Sequence, residues 1–255
     1  MPGDLHDPGR YGRSFADIYD SWYPGGDEAD LVAFIEGELD SGGRVLELGA
    51  GTGRVALPLA EAGFEVVGLD SSPEMLAELS SKDPLGKIER VLGDAGDAQT
   101  WDVIRESGPF ECVLAACNLL LNLSAPGAQR ECIHGAASAL GPGGLLLTEL
   151  TRVQLPTDTT DTRGHSGTVA KTGSAREVDV YTETDPDTGI VQGRHVERGG
   201  ESADERTWVL RVMTDDDARR WCGEVGMERI AEYSSWSREP TTAESLTTVS
   251  VYRHP

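Results

Sequence analysis

The chain has 255 residues, with 22 basic against 44 acidic side chains and a formal net charge of -22 at pH 7. Such a charge repels nucleic acid and anionic membrane surfaces, which argues against a polynucleotide or membrane partner. The length suits one α/β core carrying an insertion. Cys112, Cys117, Cys132 and Cys222 lack C-x-x-C spacing and read as reduced, buried residues, so neither a disulfide nor a zinc site is expected. No metal-spaced carboxylate cluster is visible either. Residues 1–13 are polar and rich in proline and glycine, without the apolar core of a signal peptide. No later run approaches membrane-spanning length, so a cytoplasmic protein is expected.

In chain order, Phe15, Ile18, Tyr19 and Trp22 fall on one face of a short helix, and Leu31, Val32, Ile35 and Leu39 on one face of another over 27–40. Ser41-Gly42-Gly43 ends the second. Val45-Leu46-Glu47-Leu48 is an apolar run that passes into Gly49-Ala50-Gly51-Thr52-Gly53-Arg54, the pattern of a buried parallel strand turning tightly into a helix over 54–62. A second run, Val66-Val67-Gly68-Leu69-Asp70, places an acid at a strand tip. Ser72-Pro73-Glu74 opens a helix, with proline early and an acid favourable to the dipole. Strands follow at 88–92, before Gly93-Asp94-Ala95, and at 110–116. A helix over 125–140 closes in Gly141-Pro142-Gly143-Gly144, ahead of a fifth strand at 145–150. The alternation predicts a parallel sheet with right-handed crossovers and helices on both faces. Ligands of such sheets sit beyond the carboxyl ends of the strands, an edge that collects the glycine loop, Asp70, Asp94, Asn118 and Glu149.

After Thr151 the texture changes. Residues 157–175 are rich in Thr, Asp, Gly and Ser and read as a connection. Alternating runs at 177–183 and 190–196, joined by the turn Asp185-Pro186-Asp187-Thr188-Gly189, and a third at 206–213, predict an antiparallel ribbon. Thr214-Asp215-Asp216-Asp217 caps a helix to about residue 225, and strands at 228–233 and 247–252 follow. This divides the chain into a helical lid (1–40), an α/β core (41–150), inserted strands (151–213) and a return to the core (214–255). An exposed ribbon also offers an edge for homo-oligomerisation. His165 and His195 lie in the insertion and read as surface histidines.

Strand, glycine turn, helix, strand and terminal acid make half of a nucleoside site, in which the Asp70 carboxylate accepts from a ribose diol. A dinucleotide fingerprint wants G-x-G-x-x-G. Here the third glycine comes one residue early and Arg54 stands in its place. The run E-L-G-A-G-T-G-R instead resembles motif I of the class I S-adenosylmethionine (SAM) methyltransferases.

Nearly the whole chain resembles the small-molecule branch of that family, and most of all the actinobacterial antibiotic-pathway enzymes that methylate an amine on a deoxysugar or lincosamide. The resemblance rests on the loop, on Tyr11 and Tyr19 in an N-terminal lid and on Gly93-Asp94-Ala95. It rests also on Cys117-Asn118-Leu119-Leu120-Leu121-Asn122-Leu123, the late antiparallel insertion and the closing Ser250-Val251-Tyr252-Arg253. It implies a doubly wound, mostly parallel seven-stranded Rossmann-like sheet with an inserted antiparallel ribbon. It further implies SAM as cofactor, S-adenosylhomocysteine (SAH) as product and a small-molecule acceptor. Gly49, Ala50, Gly51 and Gly53 would then approach the methionine part, with Glu47 and Arg54 flanking them. Asp70 would hold the ribose, Ser71 and Met75 the adenine side, Asp94 the adenine amino group and Ala95 a ring nitrogen. Cys117 would offer its carbonyl to the ammonium, and Tyr11 and Tyr19 would reach the carboxylate and the acceptor.

Methyl transfer is an in-line displacement that needs alignment and water exclusion more than a strong catalytic group. A neutral amine is already a nucleophile, whereas a hydroxyl needs a base or a metal. Asn122 stands where some of the resembled amino-sugar enzymes carry His or Tyr, which puts a dedicated base there in doubt. Glu149, closing the fifth strand, would anchor an ammonium or take its proton. The expected function is N-methylation of a small natural-product amine. The alternatives are O-methylation of a hydroxyl and a SAM-binding protein without turnover.

Overall fold

The computed structural model describes residues 5–23, 25–40, 42–153, 163–170, 177–197 and 205–255, with the backbone alone at 163–170 and 177. The chain opens with α1 (Arg10–Phe15), α2 (Tyr19–Trp22) and α3 (Glu28–Glu38). It continues with β1 (Arg44–Leu48), α4 (Ala56–Glu61), β2 (Glu65–Asp70), α5 (Pro73–Lys82), β3 (Ile88–Leu92), α6 (Ala98–Ser107), β4 (Phe110–Ala115), α7 (Leu119–Asn122), α8 (Ala128–Ala139) and β5 (Leu140–Thr151). Then come β6 (Arg163–Ala170), β7 (Glu177–Asp185), β8 (Ile190–Glu197), β9 (Glu205–Arg211), α9 (Asp215–Glu224), β10 (Glu228–Tyr233) and β11 (Thr247–Arg253).

A seven-stranded sheet has the order β10-β11-β5-β4-β1-β2-β3. β1 to β5 pair in parallel, β11 is antiparallel to both its neighbours, and so it alone runs against the other strands. The apolar runs of β1, β2 and β4 are buried because helices cover both faces. On one side Leu31, Phe34 and Ile35 of α3, Leu59 of α4 and Leu79 of α5 pack against Val45, Val66 and Leu114. On the other, Trp101 and Ile104 of α6, Ile133 and Ala136 of α8 and Cys222 of α9 pack against Leu46, Val67 and Val113. The doubly wound expectation therefore holds. Local signals act as written: Ser72 caps α5 by accepting from the Met75 N–H at 3.2 Å, and Thr214 and Asp217 form a reciprocal capping box at α9.

The structure departs from the sequence reading in several places. α6 and α7 occupy stretches given no element. The Gly141–Gly144 run lies inside β5, where Phe110 pairs with Leu140, rather than in a loop closing α8. The insertion is a sheet of four strands, β6-β7-β8-β9, not three. β6 falls within the stretch read as a connection, because Arg163–Ala170 shows no strict apolar alternation and pairs through its backbone with β7 across an irregularity between His165 and Thr168. The remainder of 157–175 lies outside the described residues.

His195 is not a surface histidine. It is 8% exposed, inside a group of rings. Phe15 and Trp22 of the lid meet its ring at 5.5 and 5.4 Å, and Trp208 of β9 donates its indole N–H to Nδ1 at 3.2 Å. Beside this group Arg206 donates to both Asp17 carboxylate oxygens, at 2.7 and 3.0 Å, and to the Ser14 carbonyl. The N-terminal helices and the insertion thus share one packed seam. Burial lowers the His195 pKa below its ordinary 6.5. The unfolded chain then binds the extra proton first, so stability is full above pH 6.5 and falls as pH drops toward the depressed folded value. Thermal melts from pH 7.5 to 5.5 should show wild type losing a few degrees that His195→Phe does not lose, on the scale of about 2–4 °C per kcal/mol for a chain of this size.

Candidate active site

One cleft, with about 950 Å³ of empty space and partly open to solvent, lies beyond the carboxyl ends of β1 to β4. Its floor is the glycine loop. Gly49 and Ala50 both donate their N–H to the Leu69 carbonyl, at 2.7 and 3.0 Å, and Gly51 donates to Asp70 Oδ2 at 2.8 Å. Gly51 has φ +54°, and a Cβ built there would meet nothing closer than 3.7 Å, so it would project into space beside Met75. The loop presents bare backbone to that space, the cradle a nucleoside-linked amino acid requires. Gly53 is different. Its φ is +84° and a Cβ there would fall 2.2 Å from Leu79 Cδ1, so helix packing explains this glycine.

Asp70 stands at the tip of β2 and lines the cleft with Ser71, Met75, Asp94 and Ala95. Its Oδ1 accepts from the Ser72 N–H at 2.8 Å, and burial raises its pKa against the opposing pull of the Ser72 and Gly51 N–H groups. Each oxygen keeps a lone pair for a ribose hydroxyl. Asp94 is also raised by burial, with Oδ1 holding the Gly96 N–H at 2.8 Å, and the Ala95 carbonyl accepts from Trp101 Nε1 at 2.9 Å.

The mouth of β4 carries consecutive left-handed residues, Cys117 at φ +53° and Asn118 at φ +60°. Each costs roughly 1–3 kcal/mol unless its surroundings enforce it. Glu149 Oε2 accepts the Cys117 N–H at 2.7 Å, Asn118 Oδ1 accepts the Thr151 N–H at 2.8 Å, and Asn122 Nδ2 donates to the Asn118 carbonyl at 3.1 Å. Asn122 therefore lines the cleft while bracing its turn. Cys117, unlike the buried Cys112, Cys132 and Cys222, is exposed at the cleft, which corrects the expectation that all four are buried. Burial in the surrounding protein nonetheless pushes its thiol pKa up to about 12.

Tyr11 and Tyr19 of the lid line the same cleft, with ring centroids 6.2 Å apart. Burial pushes Tyr19 up to about 12 and raises Tyr11 further. Arg54 donates to Glu28 Oε1 at 2.7 Å and to Cys117 Sγ at 2.9 Å. Burial works against its charge, but Cys117, Tyr19, Glu28 and Asp27 around it outweigh that and raise its pKa. Burial raises Glu149 as well, opposed by the Cys117 N–H.

Of the residues singled out in sequence, Tyr11, Tyr19, Gly49, Gly51, Asp70, Ser71, Met75, Asp94, Ala95, Cys117 and Asn122 share the cleft wall. Glu47, Ala50, Gly53, Arg54 and Glu149 are not part of that wall. Glu47 is 5% exposed in β1, with Oε2 unpartnered and its pKa well above the usual carboxylate range through burial. Sequence reasoning missed His6, Pro8, Leu119, Leu123, Ser124, Ala125 and Ala128, which also line the cleft. His6 carries no local signal, since only the path of the N-terminus brings it there. Among the described residues no three His, Cys, Asp or Glu side chains gather to hold a metal ion. No described helix is long and apolar enough to cross a membrane.

Residues 45–144 match the family described as Methyltransferase domain. A putative methyltransferase, YqeM of Bacillus subtilis, is 31% identical over 139 residues, 53% of each chain. The cypemycin N-terminal methyltransferase of a Streptomyces species is 32% identical over 152 residues, 58% of each chain. The chain thus spans little more than half the length of these curated relatives. Among solved structures, the CcbJ methyltransferase of Streptomyces caelestis is similar over 97% of this chain and 99% of its own, with TM-score 0.85 and 28% identity.

If Asp70 holds the ribose, Asp70→Ala should weaken SAH binding by about 2–4 kcal/mol in calorimetry. It should also lower the ligand-free melting temperature, because Gly51 and Ser72 lose their acceptor. A lowered melting temperature with unchanged affinity would leave Asp70 as a loop brace alone.

Proposed function

We propose that the protein, whose residues 45–144 match a methyltransferase domain and whose fold is that of the CcbJ methyltransferase, transfers a methyl group from SAM to the nitrogen of a small-molecule amine. SAM, when bound, supplies an electrophilic methyl group on a sulfonium. The Gly49–Gly51 backbone takes its amino-acid portion and Asp70 its ribose, with Asp94 and Ala95 at the base. Tyr11 and Tyr19 cover the reacting end and keep water out.

The observation that supports nitrogen over oxygen is the protonation of that end. Tyr11, Tyr19 and Cys117 all have raised pKa values and stay neutral at pH 7, while Asn122 is an amide already donating to Asn118. None of these four side chains is a base at pH 7, and the carboxylate beside them, Glu149, already holds the Cys117 N–H. A neutral amine needs no such base, since its lone pair attacks directly and its proton leaves afterwards. Glu149 and Asp27, beside Cys117 and Arg54, would favour capture of the amine as its ammonium, which must lose that proton to solvent before the lone pair attacks. The curated relative that acts at the N-terminus of cypemycin is in keeping with a nitrogen acceptor. A natural-product intermediate is the acceptor class this reading favours.

Transfer of labelled methyl from SAM to a panel of amino sugars, amino acids and phenols tests the proposal. Labelled amines with unlabelled phenols are expected, and the reverse would move the assignment to oxygen. The rate should rise with pH toward the acceptor's own pKa and then level off, with the midpoint moving as the acceptor is changed. A midpoint fixed by the protein would point to a base. Tyr19→Phe should cut turnover at least tenfold, about 1.4 kcal/mol, with the fold intact. Glu149→Gln keeps an oxygen for the Cys117 N–H and removes only charge, so KM for the amine should rise more than kcat falls.

A further inference from the structure

We propose that residues 5–8 form a strap across the nucleoside end of the cleft, and that the His6 ring lies against the adenine as part of the cofactor site. The inference rests on the SAM reading above and extends it to a residue outside the motifs.

The strap is pinned on opposite sides of the cleft. Ser124 Oγ donates to the Leu5 carbonyl at 3.0 Å, and Ser71 Oγ donates to the Pro8 carbonyl at 2.9 Å. Ser71 follows Asp70, the ribose acid. Ser124 precedes Ala125 and Ala128, and a Cβ built on Gly96 would come within 2.6 Å of the Ala128 methyl, which places α8 against the Asp94–Gly96 turn. Ser71 therefore stands just past the tip of β2, and Ser124 leads into the helix that packs on the turn after β3. His6 lies between them and lines the cleft together with Asp94, Ala95, Ala125 and Ala128. Ala95, Ala125 and Ala128 add only small side chains to that lining, which leaves room for a flat ring. An imidazole there offers the adenine a π-face, the contact that tolerates any base and is lost on truncation to alanine. The Gly9 N–H donation to Asp7 Oδ1 at 3.1 Å and the Asp7–Arg13 ion pair tie the strap to α1, so adenine cover and tyrosine lid are one continuous segment.

Calorimetry on the full chain with SAH and with 5′-methylthioadenosine, which shares the nucleoside but lacks the amino acid, tests the assignment. Wild type should bind both. His6→Ala should raise Kd about tenfold for each ligand, and His6→Phe should keep it within about twofold, with unchanged ligand-free melting temperatures. Unchanged affinity in His6→Ala would overturn the proposal. So would a loss confined to SAH, which would mean the tyrosine lid had been disturbed, or an equal loss in His6→Phe. Failure of wild type to bind either ligand would instead strike the SAM reading itself.

Discussion

The glycine loop is held open by the strand beside it, and the rest of the site depends on that tie. β1 and β2 pair in register from Arg44 with Glu65 to Leu48 with Leu69. Where the ladder ends, Gly49 and Ala50 share the Leu69 carbonyl and Gly51 takes the Asp70 carboxylate. The residue that ends β2 therefore sets the loop's shape and also faces the ligand space. Side chains would alter this arrangement, since a Cβ at Gly51 would project into the open space beside Met75 and one at Gly53 would strike Leu79. The loop's spacing is a packing requirement at one glycine and an access requirement at another.

The opposite wall is a strained turn braced from the neighbouring strand. Left-handed Cys117 and Asn118 are each unfavourable alone, and β5 with the residues just after β4 supplies three hydrogen bonds that enforce them. Above this wall the lid is fastened at its far end to the insertion through Asp17, Arg206 and the rings around His195, and to the core through Asp20, which accepts from Thr52 Oγ1 at 2.6 Å and pairs with Lys82. The insertion thus packs directly on the N-terminal helices, whose Tyr11 and Tyr19 line the cleft.

Much of the core was legible because its signals are local. Apolar runs closed by glycine and acid marked β1 and β2, and Ser72-Pro73-Glu74 marked α5. The acids and glycines of the ligand edge follow from strand order alone. What failed was set by tertiary context. β6 pairs through its backbone and lacks an alternating pattern. Gly141–Gly144 looked like a loop, yet Leu140 pairs with Phe110 and draws it into β5. His195 sits in a polar-looking strand and is buried only because Phe15 and Trp22 arrive from the other end of the chain. His6 reaches the cleft because two serines far apart in sequence catch the carbonyls on either side of it.

Hydrogen exchange of the full chain with and without SAH tests the central claim most directly, because it reads the loop, the strand tips and the lid at once. Slowed exchange is expected at 49–54, 70–75 and 93–97, together with the lid over 5–23, while the outer edge of the insertion stays as before. Protection that spared the glycine loop and the β2 tip, or none with SAH in excess, would contradict the account.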